Sequence, residues 1–205
     1  MNNNLQNRIV AKAVTLFCRN GIKSVTMDQV ASEIGISKRT LYENFKDKDE
    51  LCLAVADVIN SEHDVQAKEE ISKSKNTLEA MLRIYRRSFK KMQFINRNYF
   101  LDMKRYYPDV FNVSQREHEK RQKECALFLE RGKEEGMIRK DLKNEVVAAL
   151  ITSQINYLLN SDDIASGKFT FIDVYETVFT NFIRGIATQD GVKFIDDFMV
   201  DIANE

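Results

Sequence analysis

The sequence contains few of the residues that break helices or form tight turns. Among its 205 residues there are one proline, Pro108, and seven glycines. A protein built from short strands and turns needs more of both, so this composition favours long helices. Hydrophobic residues make up 43% of the chain and charged residues 30%, which is typical of a soluble globular protein of one or two domains.

Features of secreted and membrane proteins are also scarce. The N-terminal residues lack the apolar stretch of a signal peptide, and the longest uncharged run, 146–161, is too short and too polar to span a bilayer. The three cysteines are widely spaced and odd in number, which predicts free, reduced thiols. We therefore expect a cytoplasmic protein that has no membrane partner.

Little in the sequence indicates catalysis or metal binding. Neither of the two histidines, His63 and His118, has a Glu three residues before it, as helical di-metal sites require. No glycine-rich phosphate loop and no paired-cysteine motif is present. We therefore expect no catalytic residues, no metal and no cofactor, although a helical enzyme stays open as an alternative.

Helical periodicity runs through the whole chain. Apolar residues recur every three or four positions, and no alternating strand pattern occurs beyond residue 50. The pattern predicts an all-α fold whose domain division falls within the fourth helix. The predicted helices cover residues 7–20, 26–34, 37–44, 47–66, 77–94, 98–106, 115–135, 145–160, 171–188 and 192–202.

A helix-turn-helix pattern lies between residues 26 and 45. Thr26 and Gln29 form a capping-box pair at the start of the first helix, and Gly35 suits a left-handed turn at its end. A small residue, Ala31, lets two helices cross closely, and Leu41 would pack the second helix onto the first. These offsets predict two short helices joined by a tight turn.

The second of these helices would be the one that enters the major groove of DNA. Ser37 would cap it, placing Lys38, Arg39 and Thr40 at its leading end, where side chains reach bases or phosphates. Residues 1–48 hold eight lysines and arginines against four acidic residues, although the whole chain has a net charge of zero. This modest excess alone is more typical of a solvated face than of a nucleic-acid site.

Residues 26–51, TMDQVASEIGISKRTLYENFKDKDEL, resemble the DNA-binding domain of TetR-family (tetracycline-repressor-like) regulators. The matching positions are Thr26, Ala31, Gly35, Ile36, Ser37, Leu41, Tyr42, Phe45, Lys48 and Leu51. Two positions depart from the family pattern. Asn44 replaces the usual Tyr or His, and Arg39 stands where a small residue is common, so the operator sequence that is read is in doubt.

The resemblance implies both an architecture and a function. It implies an N-terminal three-helix helix-turn-helix domain, 1–50, followed by a C-terminal helical ligand-binding and dimerisation domain, 51–205. The implied function is that of a homodimeric repressor that a small apolar effector releases from a palindromic double-stranded DNA operator. The implied DNA contacts are Thr26, Ser37, Lys38, Arg39, Thr40, Tyr42, Lys46 and Lys48. A helical module that binds protein instead of DNA is a second alternative, beside the helical enzyme.

Aromatic and methionine residues recur in the helical domain. In TetR-like proteins such residues often line the effector pocket, although each one alone is more typical of an ordinary core. The predicted pocket residues are Phe89, Met92, Phe100, Met103, Tyr107, Phe111 and Phe128.

Two late segments, 145–160 and 171–186, are apolar on nearly every face. A helix of this kind must be covered on all sides, and one chain of this size covers only part of that surface. We therefore expect a two-fold four-helix dimer interface, with a deeper core within one chain as the alternative. The predicted interface residues are Val146, Leu150, Val174, Val178 and Phe182.

Overall fold

The computed structural model describes residues 3–160 and 168–203, and within them the side chains of 4–154, 168–170 and 172–200. Over these residues the fold is all-α, which confirms the prediction, and an isolated bridge pairs Ile138 with Ala187. The helices are α1 Asn3–Asn20, α2 Met27–Ile34, α3 Lys38–Asn44, α4 Lys48–Lys73, α5 Thr77–Met92, α6 Arg97–Tyr106, α7 Pro108–Glu134, α8 Asn144–Asn160, α9 Phe171–Ile186 and α10 Gln189–Ala203.

Two helices, α4 and α7, extend furthest beyond the ranges that the apolar pattern predicts. α4 continues to Lys73 because residues 67–73 are good helix formers, and an i,i+4 pair joins Glu69 to Lys73 at 2.6 Å. α7 begins at Pro108 and not at residue 115. Proline is well suited to the first helical position, since the N–H it lacks would have no partner within the helix.

The chain forms two packing units. The N-terminal unit consists of residues up to Val65 together with Phe94–Glu117, and the C-terminal unit consists of Gln66–Gln93 and the chain from His118 onward. The first change of unit lies within α4, where the sequence predicts the domain division. The functional boundary at residue 50 stays a prediction, because the packing of the N-terminal unit extends beyond it.

The core of the N-terminal unit joins α1, α2, α3, the first part of α4, and α6. Its fully buried side chains include Ile9, Phe17, Val30, Leu41 and Leu51. Each such side chain contributes about 1.5–3 kcal/mol through its removal from water. Leu41 is the residue that the helix-turn-helix pattern predicts to pack the second helix onto the first, so sequence and packing agree here.

Hydrogen bonds connect α6 and its N-terminal cap to the end of α1 and to the turn that follows it. The backbone N–H of Asn96 donates to the carbonyl of Cys18 at 2.6 Å, and the N–H of Lys23 donates to Asp102 Oδ2 at 2.7 Å. Gly21 lies in this turn with φ 83°, and a Cβ there would come within 2.9 Å of the Asn98 Cβ. Glycine is therefore required at position 21 both by the backbone conformation and by the close approach of α6.

The C-terminal unit has a core of its own. Leu78, Leu129, Ile138, Ile183 and Ile195 are almost completely buried in it. No helix in the described part of the chain is long and apolar enough to cross a membrane.

Two tyrosines connect two helices of this unit, because each hydroxyl donates a hydrogen bond to the backbone carbonyl of the other residue. The Tyr85 hydroxyl donates to the carbonyl of Tyr175 at 2.6 Å, and the Tyr175 hydroxyl donates to the carbonyl of Tyr85 at 3.1 Å. Burial raises the pKa of both phenols, so both stay neutral and able to donate. The pair therefore joins α5 to α9 without leaving either hydroxyl unsatisfied.

Candidate DNA-binding surface

Hydrogen bonds at the end of α2 determine the turn that leads into α3. Gly35 has φ 72° and ψ 36°, a left-handed conformation that glycine adopts without strain. The N–H groups of Gly35 and Ile36 donate to the carbonyls of Ser32 at 3.1 Å and Ala31 at 3.0 Å, the bond pattern of a Schellman motif. Ala31 and Leu41 are buried where α2 meets α3. The predicted helix-turn-helix is confirmed.

Hydroxyl groups cap both helices of this motif. Thr26 Oγ1 accepts a hydrogen bond from the N–H of Gln29 at 3.1 Å, and Ser37 Oγ accepts one from the N–H of Thr40 at 3.0 Å. The Ser37 and Thr40 hydroxyl oxygens also lie 2.8 Å apart. These side chains therefore fix the first turns of α2 and α3, and through them the direction in which the next residues project.

The two bases at the start of α3 project into solvent but are paired with acids. Lys38 Nζ lies 2.8 Å from Asp28 Oδ1, and Arg39 Nε lies 2.9 Å from Glu43 Oε1. The hydrogen bond and the charge of Asp28 raise the pKa of Lys38, which is therefore fully protonated at neutral pH. The side chain of Arg39 is 88% exposed. A phosphate or base that binds either residue must compete with a carboxylate of the same domain.

The remaining predicted contacts differ in how accessible they are. Tyr42 is exposed, with the Lys38 ammonium 6.0 Å from its ring centre, and Lys46 is exposed as well. Lys48 is half-buried, and its ammonium donates to the carbonyl of Ile22 at 2.6 Å. Burial lowers the pKa of Lys48. To contact a phosphate, the Lys48 ammonium would have to break its hydrogen bond to the carbonyl of Ile22.

The seven residues predicted to line an effector pocket belong to different packing units. Met103 is buried in the core of the N-terminal unit, and three partly buried aromatic residues pack there with it, namely Phe100, Tyr107 and Phe111. Phe89, Met92 and Phe128 lie in the C-terminal unit, where Phe128 packs against the core. Met103 and Phe128 thus contribute to ordinary packing. A pocket lined by the full set stays a prediction.

A cavity of about 530 Å³ lies elsewhere in the C-terminal unit, and none of the seven predicted residues lines it. Its walls include Arg83, Arg86, Arg87 and Lys90 of α5. Sequence reasoning missed these residues, because it found a focus of basic residues only near the N-terminus. The run RIYRRSFKK, 83–91, holds five bases and no acids, and this local charge density could have identified the site.

The predicted dimer residues vary in exposure. On α8, Val146 is 53% exposed and Leu150 is 51% exposed, and their i,i+4 spacing places both on the same side of the helix, which fits an interface. On α9, Val174 and Val178 are half-buried, and Phe182 packs partly against the core of the C-terminal unit. The interface stays a prediction, for which α8 offers the more exposed apolar surface.

Residues 9–55 match the family model for bacterial regulatory proteins of the tetR family, and they contain the capped α2, the turn at Gly35 and α3. This domain belongs to the TetR family. HTH-type transcriptional regulators from Staphylococcus aureus strains bovine RF122 / ET3-1 and USA300 are each 44% identical over 48 residues, which is 23% of this chain and 26% of each relative. The matched TetR domain thus spans about a quarter of the curated relatives' length.

Solved structures extend the likeness beyond the matched TetR domain. A TetR-family transcriptional regulator from Cytophaga hutchinsonii has a TM-score of 0.75 at 14% identity, covering 91% of this chain and 96% of that one. A regulator from Saccharomonospora viridis in complex with choline has a TM-score of 0.74 at 16% identity, covering 91% and 99%. The ketosteroid regulator KstR2 of Mycobacterium tuberculosis has a TM-score of 0.61 at 18% identity, covering 91% and 97%. At these identities the likeness shows the fold.

Proposed function

We propose that the protein is a sequence-specific DNA-binding regulator of transcription. The observation that carries this proposal is the pair of exposed bases, Lys38 and Arg39, at the start of the second helix of a TetR-family helix-turn-helix. The Schellman turn and the buried Leu41 hold that helix against α2, so its outer face is free to enter a major groove. Lys46 adds a further exposed base for phosphate contact.

The protein acts on DNA as a homodimer in the cytoplasm. A single α3 reads one half-site, and two copies related by two-fold symmetry read a palindrome whose half-sites lie about 34–36 Å apart. The exposed apolar residues of α8, Val146 and Leu150, supply surface for this association. The three free cysteines are compatible with a reducing compartment.

The regulator is a repressor that a small apolar effector releases. Two of the structural neighbours support a small-molecule effector, although not its apolar character, because one is named a ketosteroid transcriptional regulator and another is a complex with choline. An effector releases the operator only if it binds the non-DNA conformation more tightly. A coupling of about 1–3 kcal/mol between the two ligands would weaken operator binding by about 5- to 150-fold.

Selection of bound sequences from random DNA tests the DNA-binding function. The wild-type protein should enrich one palindrome, with an affinity that falls steeply as salt rises because phosphate contacts release counterions. Arg39→Ala should change the enriched sequence, since a bidentate contact to guanine contributes about 1–3 kcal/mol of discrimination. Tyr42→Phe should weaken all sites similarly. If no sequence is enriched and salt has no effect, the helix-turn-helix serves protein binding instead.

A further inference from the structure

One face of α5 carries a continuous row of basic side chains. Arg83, Arg86, Arg87 and Lys90 are spaced as i, i+3, i+4 and i+7, which places them on the same side of the helix. All four line the cavity of about 530 Å³ in the C-terminal unit. The cavity therefore has one wall formed by cationic groups.

Aromatic rings of α10 form another wall of this cavity. Phe194 and Phe198 both line it, and their ring centroids lie 6.1 Å apart with an interplanar angle of 19°. The guanidinium carbon of Arg83 lies 5.5 Å from the centre of the Phe198 ring, within the range of a cation–π contact. The basic and aromatic walls thus meet at Arg83 and Phe198.

The acidic residues around the cavity do not balance its bases. Five bases and three acids line it. Two of the acids are already engaged, because Glu79 accepts hydrogen bonds from Arg83 and from the N–H of Lys75, both at 2.9 Å, and Glu70 accepts one from Arg87 at 2.7 Å. Lys90 forms no ion pair with any described residue. The lining keeps an excess of positive charge and of hydrogen-bond donors.

We propose that this cavity binds a small organic anion, namely a carboxylate or phosphate monoester attached to an aromatic or acyl body. Its volume is in the range of small-molecule sites, which is about 300–1,000 Å³. The anionic group would lie at Lys90 and Arg86, and the apolar body would lie against Phe194 and Phe198. The concave shape and the aromatic wall favour a compact ligand over the extended backbone of a nucleic acid. This site is independent of the proposed DNA-reading function.

Isothermal titration of the full chain with 1-naphthoate tests the site, because this probe joins one carboxylate to one planar apolar body. We expect saturable binding of one naphthoate per chain, weakened by rising salt. Naphthalene-1-methanol has the same ring without the charge, and inorganic phosphate has charge without the ring. Each of these two probes should bind about tenfold more weakly or worse, because it keeps only one of the two kinds of contact.

Matched variants locate the binding. Lys90→Gln should weaken naphthoate about fivefold or more, since it removes a charge-assisted contact. Lys91→Gln makes the same change at the next residue, which does not line the cavity, and should leave binding unchanged. Phe198→Leu tests the aromatic wall with little change in volume, and it should weaken naphthoate but not phosphate. Circular dichroism confirms that each variant is folded.

Several results would overturn the proposal. These are the absence of saturable naphthoate binding, equal binding of the uncharged alcohol, or equal losses in Lys90→Gln and Lys91→Gln. A fourth is that Lys90→Gln weakens binding to random-sequence DNA while leaving naphthoate unaffected, which would make the basic face a nucleic-acid contact. Because binding is measured directly, failure to regulate DNA would not count against the site, and failure of the site would leave the DNA-reading function untouched.

Discussion

Lys38 at the start of α3 is held by Asp28 at the start of α2, with 2.8 Å between the ammonium nitrogen and a carboxylate oxygen. Both side chains are well exposed, and an exposed pair of this kind contributes only about 0–1 kcal/mol to stability. A DNA phosphate can therefore displace the carboxylate at low cost. The same carboxylate would lie close to the DNA and repel it.

Replacing Asp28 with Asn should tighten DNA binding. The change frees Lys38 and removes a negative charge near the phosphates, so we expect about two- to fivefold higher affinity for operator and random DNA alike at low salt. Fluorescence anisotropy over a range of salt concentrations measures this. Glu33→Gln is the matched control, because it removes one negative charge from the Lys12–Glu33 pair. Equal gains in both variants would mean that net charge, and not the Lys38 pair, sets the affinity.

The two glycine substitutions Gly35→Ala and Gly185→Ala should have opposite effects on stability. Gly35 has φ 72°, where an added Cβ meets no neighbour but strains the backbone by about 1–2 kcal/mol. Gly185 lies in α9 without a positive φ, and a Cβ there also meets no neighbour, so alanine should stabilise by about 0.5–1 kcal/mol. Urea unfolding followed by circular dichroism measures both. A stabilised Gly35→Ala would contradict the left-handed turn.

The charge of Glu79 should make stability depend on pH. Burial alone would raise its pKa, but the N–H of Lys75 and the guanidinium of Arg83 outweigh burial and lower the pKa from its usual 4.5. A lowered folded pKa gives stability that is present above the unfolded pKa and is lost as pH falls through the folded pKa. Glu79→Gln should therefore lower the free energy of unfolding by about 1–3 kcal/mol at pH 7 and by little in strong acid.

The midpoints of urea unfolding of the wild type and of Glu79→Gln, measured from pH 7 down to pH 3, test this dependence on pH. Glu134→Gln is the control, because Glu134 is an exposed acid of the same packing unit with no ion pair among the described residues. It should change the midpoint little at any pH. If Glu79→Gln lowers the free energy of unfolding by the same amount at every pH, the site requires the shape of the side chain and not its charge.

Two exposed residues of α8 test the dimer. Val146→Glu combined with Leu150→Glu places charges where both apolar side chains are about half exposed, and burying them would leave unpaired carboxylates. We expect the double variant to sediment as a monomer at micromolar concentration and to bind a palindromic operator at least about tenfold more weakly. Val65→Glu is the control, since Val65 is 65% exposed on α4 outside the predicted interface. Dimeric behaviour of the double variant would exclude α8.

The helix-turn-helix could be predicted almost residue by residue, because its signals are local. Thr26, Gly35 and Ser37 each act on backbone groups within five positions, so sequence spacing alone identifies them. The C-terminal end of α4 was harder to predict, because residues 67–73 are helical without an apolar stripe. Periodicity detects buried faces, and it misses helix that is stabilised by propensity and exposed ion pairs.

Positions that depend on distant packing could not be predicted from sequence. The ammonium of Lys48 lies at the carbonyl of Ile22, which is far away along the chain, although the family pattern implies a phosphate contact. Met103 is part of the core of the N-terminal unit, although the aromatic and methionine residues that recur around it in the sequence predicted an effector pocket. The charge row on α5 was visible in the sequence, but only the structure brings Phe194 and Phe198 of α10 beside it.

The N-terminal unit is discontinuous along the chain, and this has a consequence for biosynthesis. Tyr99, Met103 and Val110 are buried in the same core as the helix-turn-helix, yet they follow the family match at 9–55 by more than forty residues. Domains fold as their residues emerge during translation. A nascent chain that has just exposed residue 55 therefore lacks part of the core that its first helices need. That core is complete only when synthesis has passed Phe111, more than halfway through the sequence.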